Sequence, residues 1–387
     1  MTRKILKCVG VVLCSLLLIV VILFMEAVIP KNGSNPYSGI LLDKEMEESI
    51  RSVTRMDEKG YLYFMECTED YDSALVTEPF RYLDLIQKGG CSAFSVQNTE
   101  SCFLTCRNYD LPHLDPSGEL NGLNVVMHCT CPGKYESLCV ADACWLSYLG
   151  LEYFGGSLDD GKTNLTPLIL LPYLCMDGIN EKGLTVSVLS LDLKDGETAV
   201  YQTDAGKEQV YITFLLRYML DHCSTVEEAA RLAEKYNLIN TFGLDFHLFV
   251  TDRNGVSAVF DWRYNAMTVT YQNAVTNFYV SSDDAEDCYQ YGELKEAWTG
   301  PADVSFSYRY GYGHGYDRFK TLVTELESNG QMTKEAARAL LGTVAQNYNG
   351  QLTSFTQYSA IYDPENLSTD IWVMQDYDHK YTFSLKQ

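Results

Sequence analysis

The stretch GGCSAFSVQNTESCFLTCRNYD, residues 89–110, decides how this chain is read. CSAFSVQ alternates in the strand period, NTES turns, and CFLTCRN returns, which predicts a β-hairpin with Cys91 at the start of its first strand. Gly89 and Gly90 permit backbone angles closed to other residues and let the thiol approach the Gly90 carbonyl. A cut between Gly90 and Cys91 would make Cys91 an N-terminal residue. Its thiol would then be a strong nucleophile, and its α-amine, with a pKa of about 7.7–8.0, a general base. No histidine is needed for that chemistry, and none of the six histidines stands in an obvious Cys–His pair. Taken alone, GGC reads equally as a turn before a strand.

The return strand adds Arg107 and Asp110. Arg107 could stabilise a thiolate, and Asp110 could hold the α-ammonium group. Strand geometry sets a condition on this. A two-residue loop would put Cys91 and Arg107 on opposite faces of the hairpin, whereas a three-residue loop at Thr99-Glu100-Ser101 puts them on one face. The expected loop is therefore odd. As a surface ion pair, Arg107 and Asp110 would contribute no more than about 1 kcal/mol.

Working outward, the N-terminus carries Arg3, Lys4 and Lys7 before an apolar run over residues 8–29. About 20 such residues cross a hydrocarbon core of roughly 30 Å, and the preceding cations orient the N-terminus to the cytoplasm. Met25-Glu26-Ala27 is a poor signal-peptidase site, so residues 1–30 read as a cytoplasmic tip and retained membrane anchor. Residues 31–90 read as linker and leader. Within them 43–58 suggests a short exposed helix, and 60–88 is apolar enough to stay packed on the domain after a cut. Residues 91–387 read as one large catalytic domain placed outside the cytoplasm.

The net charge is −23, with 10 basic and 13 acidic residues in 1–90, against 19 and 39 in 91–387. That balance argues against nucleic-acid binding and fits solubility of an exposed domain. Thirteen cysteines include Cys102, Cys106, Cys129, Cys131, Cys139 and Cys144 in one window. In an extracytoplasmic domain these would be disulfides or buried thiols. The spacing from Cys129 to Cys144 lacks the paired knuckles of a structural zinc site, so no metal and no cofactor is expected.

Further along, LNVVMHCTC and ESLCVADACWLSYLG read as buried strands, and DGINEKG as a turn between the strand-like runs of LTPLILLPYLCM and LTVSVLSLDL. QVYITFLLRYMLDHC is helical in pattern, and Ser224-Thr225-Val226-Glu227 reads as a capping box opening VEEAARLAEKYNLI. FHLFVTDRNGVSAVFDW is a hairpin, with AMTVTYQ and AVTNFYVSS continuing the sheet. Helices are expected at YDRFKTLVTELES and, capped by Thr333, at KEAARALLGTVAQ. A last pair of strands follows. Hairpins dominate over βαβ units, which predicts an α+β domain of antiparallel sheets with helices outside.

Cys-Ser-x-Phe followed by Arg-Asn-Tyr-Asp resembles the start of the mature choloylglycine hydrolase and penicillin V acylase family. The resemblance continues through DGINEKGL (177–184), FHLFVTDRNGVSAVFDW (246–262), AVTN (274–277), GYDRF (315–319) and YSAIYDPENL (358–367). These are linear amide hydrolases of the N-terminal nucleophile superfamily, so the resemblance implies a four-layer αββα fold. It implies Cys91 as nucleophile, Arg107 and Asp110 as its partners, Asn277 as oxyanion donor and Arg318 completing the polar network. Asn180 reads as structural. Where several relatives carry asparagine this chain has Ser190, a substrate-edge position, which counts against a bile-salt substrate.

The implied reaction is cleavage of an N-acyl amide through a thioester. An acyltransferase on the same site, or a non-catalytic cysteine-rich surface-binding protein in which Cys91 is never exposed, are the competing readings. The acyl group, the amine and the oligomeric state are left open by the sequence.

Overall fold

Strand alternation and loop parity determine which side chains of the hairpin share a face. In the computed structural model, Gly90–Asn98 pairs antiparallel with Phe103–Asp110, Cys91 standing opposite Tyr109 and Ala93 opposite Arg107. The Asn98 amide donates to the Cys102 carbonyl at 2.6 Å, closing a three-residue loop. Cys91 and Arg107 therefore share one face, and Asp110, the partner of Gly90, lies on the other.

The structure describes residues 42–74, 90–100, 102–115, 117–148, 157–191, 200–240, 245–263, 266–280, 315–347 and 354–386. The apolar run 8–29, the start of the linker and residues 75–89 beside the expected cut lie outside these. Among the described residues no helix is long and apolar enough to cross a membrane.

Helix α1 (Lys44–Arg51) leads to β1 (Thr54–Arg55) and β2 (Leu62–Cys67), and the hairpin strands are β3 and β4. A ribbon of β5 (His113–Leu114) and β6 (Leu120–Asn121) precedes β7 (Asn124–Cys129) and β8 (Ser137–Asp142). The short helix α2 (Trp145–Tyr148) and a 3₁₀ run, Thr166–Leu174, come before β9 (Cys175–Asn180) and β10 (Thr185–Leu191). Then follow β11 (Glu208–Tyr211), α3 (Ile212–His222), α4 (Val226–Ala233) and β12 (Tyr236–Ile239). The rest is β13 (Asp245–Thr251), β14 (Ser257–Arg263), β15 (Ala266–Tyr271), β16 (Ala274–Val275), α5 (Tyr316–Ser328), β17 (Gln331–Met332), α6 (Lys334–Thr343), β18 (Thr356–Asp363), β19 (Ser368–Val373) and β20 (Tyr381–Ser384).

Two main sheets result. One has nine strands in the order β1-β2-β7-β8-β9-β10-β13-β14-β15. The other has seven, β16-β3-β4-β18-β19-β20 with β17 beside β3. The pairs within them are antiparallel except β2–β7 and β17–β3. Residue parity shows how the sheets are covered. On β9, Asn180 donates to the carbonyls of Leu220 and Cys223 at the end of α3, both at 2.8 Å, whereas Asp177 faces β18 of the other sheet through Tyr358. On β4, Asn108 donates to the Leu341 carbonyl of α6 at 2.8 Å, whereas Arg107 faces the nine-stranded sheet. The sheets thus face each other, with α3 and α6 on their outer faces. Strands buried on both faces explain unbroken runs such as DFHLFVT, all seven residues of which are buried.

Several expected elements shift. LTPLILLPYL is not a strand; the run Thr166–Leu174 is 3₁₀, because Pro167 and Pro172 lack the amide a ladder needs. The box opening α4 sits one residue further on. Thr225 is the cap, accepting from Glu228 N at 3.2 Å, while Glu228 accepts from Ser224 N at 2.7 Å. That helix stops at Ala233, and YNLI forms β12, parallel to β11. Gln209 to Tyr211 are strand, so α3 starts later than its pattern suggests. ESLCVADACWLSYLG gives β8 and then α2. AVTN leaves the sheet it was expected to continue and joins β3 in the other. The chain closes with three strands, and α1 buries Met46, Ser49 and Ile50 and so is exposed on one side only.

Candidate active site

The hairpin delivers Cys91 to the interface between the sheets, where Arg107 of the return strand, Asn277 and Arg318 meet it. Its sulfur lies 3.6 Å from Nη2 of Arg107. Its backbone nitrogen donates to Asn277 Oδ1 at 3.0 Å, and its carbonyl accepts from Arg318 Nη1 at 2.7 Å. Arg318 Nη2 also donates to Asn277 Oδ1 at 2.7 Å. Nitrogen, carbonyl and sulfur of one residue are each held by a side chain brought from elsewhere in the chain.

Arg107 is fully buried and is held through both terminal nitrogens, while its Nε has no hydrogen-bond partner among the described residues. Nη1 forms an ion pair with Asp177 Oδ2 at 2.7 Å and donates to the Met176 carbonyl, and Nη2 donates to the Val188 carbonyl at 2.6 Å. Asp177 in turn accepts from the hydroxyls of Tyr358, at 2.6 Å, and Tyr362. Burial pushes the Asp177 carboxyl up, opposed chiefly by the Arg107 charge. Burial likewise raises the Cys91 thiol, with Arg107 pulling it down and the Asp110 carboxylate adding to the rise.

Asp110 accepts from Thr356 Oγ1 at 2.6 Å and Gln346 Nε2 at 3.0 Å, and Arg318 Nη1 stands 3.6 Å from its Oδ2. Burial, offset most by Arg318, places its carboxyl at about 6. Arg318 thereby links Asp110 to the Cys91 carbonyl. Asn277 Nδ2 donates to the Ser190 carbonyl at 2.7 Å and to Ser190 Oγ at 3.2 Å, so Ser190 lies directly beside it. Asn180 accepts from the amides of Lys182 and Leu184, both at 3.1 Å, and staples the turn to α3, a structural position.

The strand after β15 and the start of α5 meet at the site through Gly315. Its φ is +83°, and a Cβ there would lie 2.7 Å from Arg318 Nη2 and 2.9 Å from the Thr276 side chain. Thr276 Oγ1 donates to the Gly315 carbonyl at 3.0 Å. Only glycine allows AVTN and GYDRF to approach so closely.

Sequence reasoning missed Asp177, Tyr358 and Tyr362 as the cradle of Arg107, and His247 behind Asn277. His247 lies 2.9 Å from Asp261 Oδ1 and 2.8 Å from the Thr276 carbonyl. Asp177 and His247 lie inside motifs quoted for their turns and hairpins. Parity marked which residues shared a face but not which face met the hairpin.

The ten described cysteines are free thiols. Cys129 and Cys139 come within 3.9 Å, well beyond the roughly 2.05 Å of a disulfide. One group of three ligand-type atoms, from His113, Asp142 and Cys144, lies within 4.8 Å. Asp142 there is already engaged by His113 at 2.5 Å, Tyr109 at 2.9 Å and the Cys144 amide at 3.0 Å, a hydrogen-bonded set that needs no ion.

Residues 165–286 match the family model for linear amide C–N hydrolases of the choloylglycine hydrolase family. The matched segment holds Asp177, Ser190, His247 and Asn277 of the site. No curated protein matches the sequence. Among solved structures, a variant of the conjugated bile acid hydrolase from Clostridium perfringens is 14% identical, covers 76% of this chain and 92% of its own, and has a TM-score of 0.49. Penicillin V acylase from Agrobacterium tumefaciens is 16% identical, covering 77% and 87%, with a TM-score of 0.46.

Proposed function

We propose that the chain is cut between Gly90 and Cys91 and that Cys91 then works as an N-terminal nucleophile on an N-acyl amide. The carrying observation is that the nitrogen and the sulfur of Cys91 are bracketed by different side chains, Asn277 at 3.0 Å and Arg107 at 3.6 Å. In the uncut chain that nitrogen is an amide. Once freed it is an amine able to take the thiol proton as sulfur attacks the acyl carbon. The leaving amine departs with that proton, a thioester remains on Cys91, and water releases the acid.

Asp110, reaching the residue through Arg318, balances the ammonium that forms. Asn277 Nδ2 supplies the oxyanion donor. Of its two contacts with Ser190, the longer, at 3.2 Å to Oγ, is the one an oxyanion takes over. Ser190 then flanks the substrate edge. The layering supports the αββα fold of N-terminal nucleophile hydrolases, and residues 8–29 would hold this domain on the outer side of a membrane.

Intact-mass analysis tests the reading. The purified protein should yield a fragment beginning at Cys91, and Cys91→Ala should abolish both the cut and hydrolysis across a panel of N-acyl amides. An uncut chain with full activity would overturn it. Release of an acylated amine in place of free acid when amines are supplied would make the enzyme an acyltransferase.

A further inference from the structure

The segment before the cut is built into the sheet that follows it. β2 runs parallel to β7 over six residues, from Leu62 opposite Asn124 to Cys67 opposite Cys129. The Asn124 amide donates to the Tyr61 carbonyl at 3.0 Å and the Thr130 amide to the Cys67 carbonyl at 2.9 Å. Between β2 and β7 in sequence the chain passes into the other sheet and makes the Cys91 hairpin. A cut at Gly90 thus separates two neighbouring strands covalently and leaves their ladder untouched.

The seating goes beyond the ladder. Leu62, Tyr63, Met65, Cys67 and Tyr71 are all fully buried. Tyr71 donates to Asp221 at 2.6 Å, with Lys134 Nζ 3.7 Å above its ring, and Asp72 pairs with Lys134 at 2.6 Å. Buried Glu69 accepts from Ser49 of α1, tying the helix to the strand. Tyr71 also meets Tyr173 edge-on at 5.7 Å, and the Tyr173 hydroxyl donates to Asp72. Tyr173 is the penultimate residue of the 3₁₀ run that leads into β9 with Met176 and Asp177, the cradle of Arg107.

We infer that residues 42–74 are a permanent, non-covalent subunit of the processed enzyme and not a discarded leader. This rests on the cut proposed above, and its partner is the edge of β7 with the Asp221–Lys134 pair. Without it β7 would present an unpaired edge and buried apolar residues to solvent.

The test does not depend on self-cleavage. A recognition site for a sequence-specific protease is placed within 75–89 of the full chain, which is purified in detergent and cut. A denaturing gel should show two fragments, and native size-exclusion chromatography should show one co-eluting species. Elution of the small fragment apart from a folded large one would overturn the inference. In the nicked protein, Tyr71→Ala should lower the urea concentration at which the fragments part, whereas Tyr201→Ala, at an exposed tyrosine, should not. An unchanged midpoint for Tyr71→Ala would equally overturn it. Whether the untreated chain cuts itself at Gly90 is read separately by mass.

Discussion

Asp177 Oδ2 lies 2.7 Å from Nη1 of Arg107, whose other terminal nitrogen is 3.6 Å from the Cys91 sulfur. Both partners of this ion pair are fully buried, so each depends on the other for its charge. Removing one partner of such a pair costs roughly 3–5 kcal/mol, because the survivor is left buried and uncompensated. Asp177→Asn and Arg107→Met should each lower the unfolding free energy of the uncut chain, extrapolated from urea titration, by an amount in that range. The double substitution should cost clearly less than the sum, since the stranded charge is gone. Additive losses would show that the pair is not coupled.

The processing rate should depend on pH in a direction set by Cys91. Burial raises this thiol above its ordinary value, so at neutral pH the thiolate is a small fraction. Below the thiol pKa that fraction grows about tenfold per pH unit, and attack on the Gly90 carbonyl should follow it. Mass spectrometry of the cut against time, from pH 7 upward, should show a matching rise. Arg107→Leu removes the main group pulling the thiol down, and should move the profile to higher pH. A flat profile would mean that another protease makes the cut.

Asp110 gives a second pH signature, this time in stability. Its carboxyl titrates at about 6 in the fold, above the ordinary carboxylate value near 3.8, because burial outweighs Arg318. The folded state therefore holds the proton longer than the unfolded one, and stability is lost as pH rises through that window. Asp110→Asn removes this dependence. Measured on the uncut chain, the substitution should look less damaging at pH 7 than at pH 4. The shift corresponds to a difference on the order of 2–3 kcal/mol. A constant difference across the range would place the Asp110 pKa at its ordinary value.

The hairpin, its odd loop and the shared face of Cys91 and Arg107 were legible because strand parity is a local rule. The helices capped by Thr225 and Thr333 were legible in kind for the same reason. Long-range facts were not. Nothing in LTPLILLPYL marks a 3₁₀ run except its two prolines, and its hydropathy fits a buried strand equally well. Asp177 appeared as the first residue of a turn, yet it sits in β9 and faces Arg107, since the register between sheets is set by packing that the sequence does not display. Asn277 and Arg318 were reached only through resemblance, being far from Cys91 in the chain and meeting it through Gly315.

That meeting point carries the last prediction. Asn277 is held by its neighbour: the Thr276 carbonyl lies 2.8 Å from His247 Nε2, and Thr276 Oγ1 donates to Gly315 at 3.0 Å. If Asn277 Nδ2 stabilises the oxyanion, Asn277→Ala should lower kcat about 10²–10³-fold on the best N-acyl amide, with KM little changed. His247→Leu removes the anchor without touching the donor, so it should move kcat the same way by a smaller factor. Gly315→Ala forces a Cβ to within 2.7 Å of Arg318 and 2.9 Å of Thr276, which must displace one or both. It should therefore disturb hydrolysis more than His247→Leu does, because Arg318 also holds the Cys91 carbonyl at 2.7 Å. An Asn277→Ala enzyme that raised KM while keeping kcat would instead make Asn277 a ground-state contact, and the oxyanion role would pass to another donor.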